Sequence, residues 1–459
     1  MQARATSGHS WRVLLWVVVV ALLGAGGFAA WQLQRTHVHK PGEVPLEPVA
    51  AAALREDVRV LSGLDEAELA ALLEADPTVV QLAELATAGK QSAQDKAQGV
   101  VALLAKRKQA GAFSEWSRVG PRLGAPLTAA ATGRAIAQDA AERQLYPLEL
   151  AALGVAALRS AGVPALVAEV FAYPGDTRPL DPSGHFGYFA VFVPENGGPQ
   201  GRLYDVYLAH TTVPSPNDVV VLNDAQAVGA ALGLRAMDAV RNRQDLESAH
   251  RDAQAAVKLL PGSPTTHGVL ASVLLTRAEG EAGKAELDKA LALRADAPRR
   301  NNLALHALTG NDPMLAGREL GDTLKEYPDF AYAHTTRAAA SMILMAYQIA
   351  SDELQLAEKA DPQLALVPQL RAQLLAAKGD LNEAVIMGRK AVQQRPSDPQ
   401  PLFILARIER SLGLKDDMRK HAAQIMELTP LAQREGRKLH LQAVLGEDAF
   451  DGPAAADKL

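Results

Sequence analysis

Six landmarks on an almost fixed ruler constrain this chain more than any other feature. Pro261, Ala295, Pro328, Pro362, Pro396 and Pro430 follow one another at steps of 34, 33, 34, 34 and 34 residues. A period of that length, held over roughly 170 residues, marks stacked helix pairs, because one pair cannot bury its apolar face alone and must lean on the next. About half of the chain is therefore expected to be an all-α solenoid whose concave side can hold a partner.

The rest of each repeat fits the same ruler. Small residues stand twelve and five positions before the closing landmark in Ala249/Ala256, Ala350/Ala357 and Ala384/Ala391, and another stands 24 before it in Ala271, Ala304, Ala338, Ala372 and Ala406. Gly379 and Gly413 sit at the turn between helices, where a left-handed backbone is wanted. With these residues the segment resembles the tetratricopeptide repeat family, in about six degenerate copies; Thr323, Met418 and Ile425 stand where alanine is usual and Gly283 replaces another. The resemblance implies that the first helix of each pair lines a groove through its second, fifth, ninth, twelfth and thirteenth places. Among those places are Asn301, Tyr332, Thr335, Gln369, Gln373, Phe403, Arg407 and Arg410. Polar groups, two aromatic rings and two arginines suit an extended peptide, with a carboxylate held by an arginine fork. Met342 and Met345 are expected to pack inside the solenoid. REGRKLHLQAVLGEDAF reads as a capping helix, followed by a disordered Ala-rich tail.

The chain has 459 residues, enough for two to four domains with real cores, and a formal net charge of −5, which offers no basic stripe for nucleic acid. It has no cysteine. That removes disulfides, thiolate metal sites, a lipidated cysteine and cysteine catalysis together.

The N-terminus points to a membrane. Residues 13–31 (VLLWVVVVALLGAGGFAAW) carry no charge, and at about 1.5 Å per residue such a helix just spans a bilayer core. Trp11 and Trp31 bracket it as interface anchors would. A cleaved signal peptide is the alternative, because Arg4 and Arg12 make a basic start and the small residues of GAGGFAA could supply a cleavage site. An uncleaved anchor is preferred, since the apolar run exceeds a usual signal core and ends in a bulky Trp. The expected orientation puts residues 1–12 in the cytoplasm and the bulk of the chain in a bacterial periplasm, after a stiff Pro-rich linker over 32–55.

Residues 56–215 form the other informative region. Helical patterning comes first, then the helix PLELAALGVAALRSAG, then strand-like VPALVAEVFAYP, HFGYFAVFVP and RLYDVYL, the last two joined by the turn-rich ENGGPQG. A helix on an antiparallel sheet is an α+β unit. The run Leu158, Arg159, Ser160, Ala161, Gly162, Val163, Pro164, Ala165, followed by His185 and by Asp205 in LYDV, resembles the transglutaminase-like fold of papain-type thiol enzymes. The resemblance implies a nucleophile at the start of the helix, with His185 and Asp205 completing it. Twelve residues before Arg159 stands Pro147, and Tyr146 to Arg159 contains neither Ser nor Thr. Proline suits a first helical turn and attacks nothing. The domain is therefore expected to be non-catalytic. For His185 and Asp205 three roles stay open: a His–Asp hydrogen bond that closes the sheet, a residual cleft that binds without cutting, and a hydrolase using some other residue.

Other constellations are weak. His37 and His39 lack a third metal ligand, no phosphate or dinucleotide motif is present, and no cofactor is expected. The acid-rich DEAELAALLEAD reads as the solvated face of a helix, and the loop YPGDTRPLDPSG is long enough to cover the old cleft. The expected organisation is a cytoplasmic 1–12, an anchor at 13–31, a linker at 32–55, the α+β domain at 56–215, the solenoid with its cap at 216–443 and a tail at 444–459. Such a chain would be an envelope scaffold that binds a protein partner.

Overall fold

The computed structural model describes residues 49–115, 128–138, 144–175, 178–195, 200–241, 245–396, 398–429 and 431–450. The expected anchor at 13–31 lies outside them, and among the described residues no helix is long and apolar enough to cross a membrane.

A layer of helices comes first: α1 (Ala51–Ser62), α2 (Ala67–Ala70), α3 (Pro77–Thr87), α4 (Ala93–Gln109), α5 (Ala129–Ala137) and α6 (Pro147–Ser160), with short parallel β1 (Ser114–Glu115) and β2 (Gln144–Leu145) between α4 and α6. Their starts follow local chemistry. Asp76, Ser92 and Thr128 each accept a backbone N–H of the first turn of α3, α4 and α5, and Pro77 and Pro147 occupy first-turn places that need no N–H. The acid-rich patch is not simply a solvated face. Asp65 pairs with Arg55, Glu66 bridges to Arg235, and Asp76 caps α3.

Five antiparallel strands follow: β3 (Leu166–Val170), β4 (Phe189–Pro194), β5 (Gly201–Asp205), β6 (His210–Thr212) and β7 (Val219–Leu222), in the order β6-β5-β4-β3-β7. Every residue of β3 and β4 is buried, so the sheet is covered on both sides. Because β7 pairs with β3, as in Ala168 opposite Val221, the α+β unit runs past the expected limit at residue 215 to Leu222.

Six helix pairs then stack: α7 (Asp224–Arg241) with α8 (Leu246–Leu259), α9 (Pro264–Thr276) with α10 (Gly280–Leu293), α11 (Ala297–Thr309) with α12 (Pro313–Glu326), α13 (Ala331–Ile343) with α14 (Tyr347–Ala360), α15 (Leu366–Lys378) with α16 (Leu381–Gln394), and α17 (Pro399–Ser411) with α18 (Lys415–Glu427). Second helices begin at 246, 280, 313, 347, 381 and 415, the steps of the proline ruler. Gly379 and Gly413 take φ of +91° and +75°, as their turns require. Helix α19 (Arg434–Leu445) caps the stack, and a 3₁₀ turn Glu447–Phe450 buries Ala449, so packed structure continues beyond the tail boundary expected at 444. Met345 is 76% exposed at a left-handed turn (φ +56°) rather than inside, whereas Met342 is half-buried.

Two polar devices fix this arrangement. Arg159, from the LRSAGVPA run, makes a bidentate pair with Asp224 (2.8 and 3.0 Å) while its Nε donates to Ala165 O (3.0 Å), tying α6, β3 and α7 together. Both side chains are nearly buried. Within the solenoid, His334 Nδ1 lies 2.6 Å from Glu353 Oε2 and its Nε2 2.8 Å from Pro328 O. The same triad recurs two repeats earlier as His267, Glu286 and Pro261 O (2.6 and 3.1 Å). A histidine of the first helix thus stitches the preceding closing proline to the second helix.

Removing one partner of a buried ion pair leaves the other uncompensated, so Arg159→Met is expected to cost about 3–5 kcal/mol, read as a lowered urea midpoint. For His334, burial pulls the pKa down, but the Glu353 bond, the Pro328 carbonyl and the Glu353 charge outweigh it and raise the pKa above 6.5. A raised folded pKa gives stability that is complete below the unfolded value and is lost as pH rises through the folded one. Melting temperature should therefore fall on the alkaline side of pH 6.5 in the parent and change less in His334→Gln.

Candidate functional site

The position where the family resemblance places a nucleophile is filled and closed. Pro147 is the buried first residue of α6, and the Glu149 carboxylate, also buried, accepts the Tyr146 N–H (2.9 Å). The Tyr146 ring stacks on Phe186 (5.8 Å, 10°) and its hydroxyl donates to Asp238 of α7 (2.5 Å). This helix start, which in a thiol enzyme would face substrate, is packed with aromatic side chains.

The expected His185–Asp205 hydrogen bond is not formed. Asp205 is fully buried at the end of β5 and accepts from the hydroxyls of Tyr173 and Tyr188 (2.7 Å for the latter) and from the N–H groups of Tyr207 and Leu208 (both 2.8 Å). Tyr188, three residues after His185, thus stands where the histidine was expected. His185 lies before β4 in a turn drawn together by Asp181, whose carboxylate accepts from the N–H groups of Ser183, Phe186 and Gly187 (3.0, 2.9 and 2.9 Å). Its Nδ1 lies 3.2 Å from Ser272 Oγ of α9. Burial pushes the His185 pKa down to about 4, more than the Asp181 charge restores, so the ring is neutral at pH 7. The string HFGYF held both candidates, and only the path of the turn ahead of β4 chooses between them.

A second buried acid was missed altogether. Glu169 of β3 is fully buried and lines a small cavity with His185, Phe189, Ser263 and Thr265. Neither carboxylate oxygen has a partner with hydrogen-bond geometry among the described residues, and burial raises its pKa against the pull of Thr265, Ser263 and Arg299. A single Glu in the apolar run LVAEV was the available signal.

The eight groove residues do not act as one surface. Asn301 and Thr335 are buried, Asn301 with its Oδ1 unpartnered among the described residues and Thr335 with its hydroxyl donating to Tyr332 O (2.8 Å). Tyr332 stacks on Phe330 (6.0 Å), and burial, then the Asp181 and Asp361 charges, pushes its pKa up to about 12. Gln369 accepts from Arg395. Phe403 stacks on His440 (5.5 Å) and Arg410 donates to Val444 O, so both are turned onto the cap. Gln373 and Arg407 line an open cavity of about 760 Å³ between α13, α15 and α17. Its apolar wall comes from the same counted places (Met342, Ile343, Ala376, Ala377) and from Ile404 and Ile408. Arg407 leans on Phe403 (6.0 Å) and has no carboxylate partner among the described residues. Among those residues no cluster of three His, Asp or Glu could hold a metal ion; His37 and His39 lie outside them.

No family model and no curated protein matches the chain. Similar solved structures include yeast Tom70 (14% identity, TM-score 0.38, covering 51% of this chain and 57% of that one) and pilF of Pseudomonas aeruginosa (18%, 0.34, 47% and 98%). A third is PilW, a type IV pilus biogenesis factor (17%, 0.36, 51% and 99%). With TM-scores this low, the helix-pair repeat rests on the chain's own geometry.

Asp205→Ala would strand two tyrosine hydroxyls and two N–H groups, a loss of roughly 3 kcal/mol or more at about 1–3 kcal/mol per buried unsatisfied group. His185→Ala, which breaks contacts to Ser272 and the Gly268 backbone and strands no buried charge, should cost clearly less. Urea unfolding of both variants checks the order.

Proposed function

We propose that the chain is a membrane-anchored scaffold of the cell envelope, which receives a segment of a protein partner in its solenoid groove. The α+β domain is non-catalytic in this proposal. Residues 13–31 would hold the chain to a bacterial inner membrane, with the bulk of it in the periplasm.

One observation carries the binding role: the cavity between α13, α15 and α17 has an apolar wall and Arg407 as its only charged lining residue, without a carboxylate partner among the described residues. An apolar side chain seated there loses water at a gain of about 25 cal/mol per Å², and a carboxylate on the same ligand meets the guanidinium. The matching ligand is a peptide segment with aliphatic residues beside an acid. Against catalysis stand the absence of cysteine from the chain and the closed start of α6, where Pro147, Phe186 and Tyr146 fill the nucleophile position.

A photo-crosslinker at Ala377, on the exposed edge of the cavity, tests the reading. It should capture one envelope protein from membranes, and Arg407→Glu should reduce capture about tenfold or more, while Arg410→Glu, whose side chain serves the cap, should change it little. Capture that ignores Arg407→Glu would remove the groove from the proposal. Peptide or isopeptide turnover by the purified chain, lost in His185→Ala, would instead favour a non-cysteine enzyme.

A further inference from the structure

The loop expected to cover the old cleft goes elsewhere. After Tyr173 the chain turns at Asp181 to His185 and lies on the solenoid, where Asn302 Nδ2 donates to Ser183 O (3.0 Å) and Ser272 Oγ meets His185 Nδ1 (3.2 Å). Two glycines bring backbone onto helix. Gly184, at φ +70°, sits so close that an added Cβ would stand 3.1 Å from Pro298 Cβ, and a Cβ on Gly268 would stand 2.9 Å from Gly184 O. Beside this contact, Arg294 donates to Asp218 and to Asn217 O (both 2.9 Å) and rests over Phe171 (4.7 Å).

The positions touched are decisive. Gly268 and Ser272 are the fifth and ninth places of the α9 repeat, and Pro298 is the second place of the α11 repeat. The ninth place, held here by Ser272, is the one that three and four repeats along lines the open cavity as Gln373 and Arg407. One end of the groove is filled by a tight turn of the chain itself, held by a side-chain amide to its backbone carbonyl. Toward the cap the groove stays open as the cavity between α13, α15 and α17.

We propose that the 181–185 turn is a built-in occupant of the groove: it blocks the α9 and α11 stations in the resting chain, so that a partner enters at the α13–α17 half and reaches the whole groove only by lifting the turn. The proposal rests on reading the groove as a ligand surface, but its test needs no partner, so the two can fail separately.

The chain lacks cysteine, so a single introduced thiol reports its own station in the full-length protein. Ser272→Cys places a thiol beneath the turn, and Ser411→Cys places one on the exposed edge of the open cavity. Under native conditions, maleimide should label the thiol of Ser272→Cys at least about a hundredfold more slowly than that of Ser411→Cys, because it waits for local opening. Gly268→Ala favours the helix but drives a methyl group against Gly184 O, and Asn302→Ala removes the amide clasp. Each should speed labelling at 272 by about tenfold, the equivalent of a tenfold shift in the opening equilibrium, and leave labelling at 411 unchanged, which also shows that the solenoid stays folded. Equal rates at the two thiols in the parent background would overturn the proposal. So would protection at 272 that survives both substitutions.

Discussion

Everything in this molecule hangs on the double burial of helix α7. One side closes the sheet against β3 and β7; the other opens the solenoid against α8 and α9. Ala227, Val228, Ala231, Leu232, Leu234 and Ala236 are all nearly without exposure, in a core that runs without a break from Leu54 through Leu166 and Val221 to Val273 and Leu274. Close approach needs a missing side chain. A Cβ on Gly229 would stand 2.8 Å from Leu259 Cβ, so the helix reaches its partner only because glycine is there. Asp224 at its start takes Arg159, and Arg235 near its end takes Glu66 and Asp252, so its outer face is pinned by charge where its inner faces are pinned by packing.

That rigid junction has a consequence for the groove. A solenoid whose first helix is also a sheet-covering helix cannot present all of its concave face, because the α+β unit stands beside its first repeats. The turn after Asp181 lies on the nearest repeats, and the open cavity lies toward the cap. Beyond α17 the cap itself consumes Phe403 and Arg410, so the open cavity is bounded at both ends by the chain's own structure.

Much of the fold was legible because it repeats. Alanines at the crossing points, glycines at the turns and prolines at the ends recur at a spacing that only stacked helix pairs satisfy, and the second helices begin on that ruler. Strands β3, β4 and β5 were legible from their apolar runs and from the turn-rich ENGGPQG between β4 and β5, whereas β6 was not. The short β7 was not, since VVVL after a Pro- and Asn-containing loop could have opened a helix as easily as closed a sheet. Where the resemblance places a nucleophile, Pro147 stands at a helix start as expected, but Asp205, expected beside His185, is held by Tyr173 and Tyr188. A motif gives the order of residues along the chain and not which of two neighbours in the turn ahead of a strand reaches an acid at the end of the next one.

The sequence by itself determined the repeat, the helix starts and the impossibility of thiol chemistry, because these depend on local spacing, on capping groups and on which atoms the chain contains. Tertiary structure alone decided which groove positions are free. Asn301 and Thr335 share their counted place with Gln369 and Phe403, yet two are buried, one is bonded to Arg395 and one supports the cap. Equivalent places in a repeat differ only in what the rest of the chain lays against them, and that is set by long-range burial, which no local spacing records.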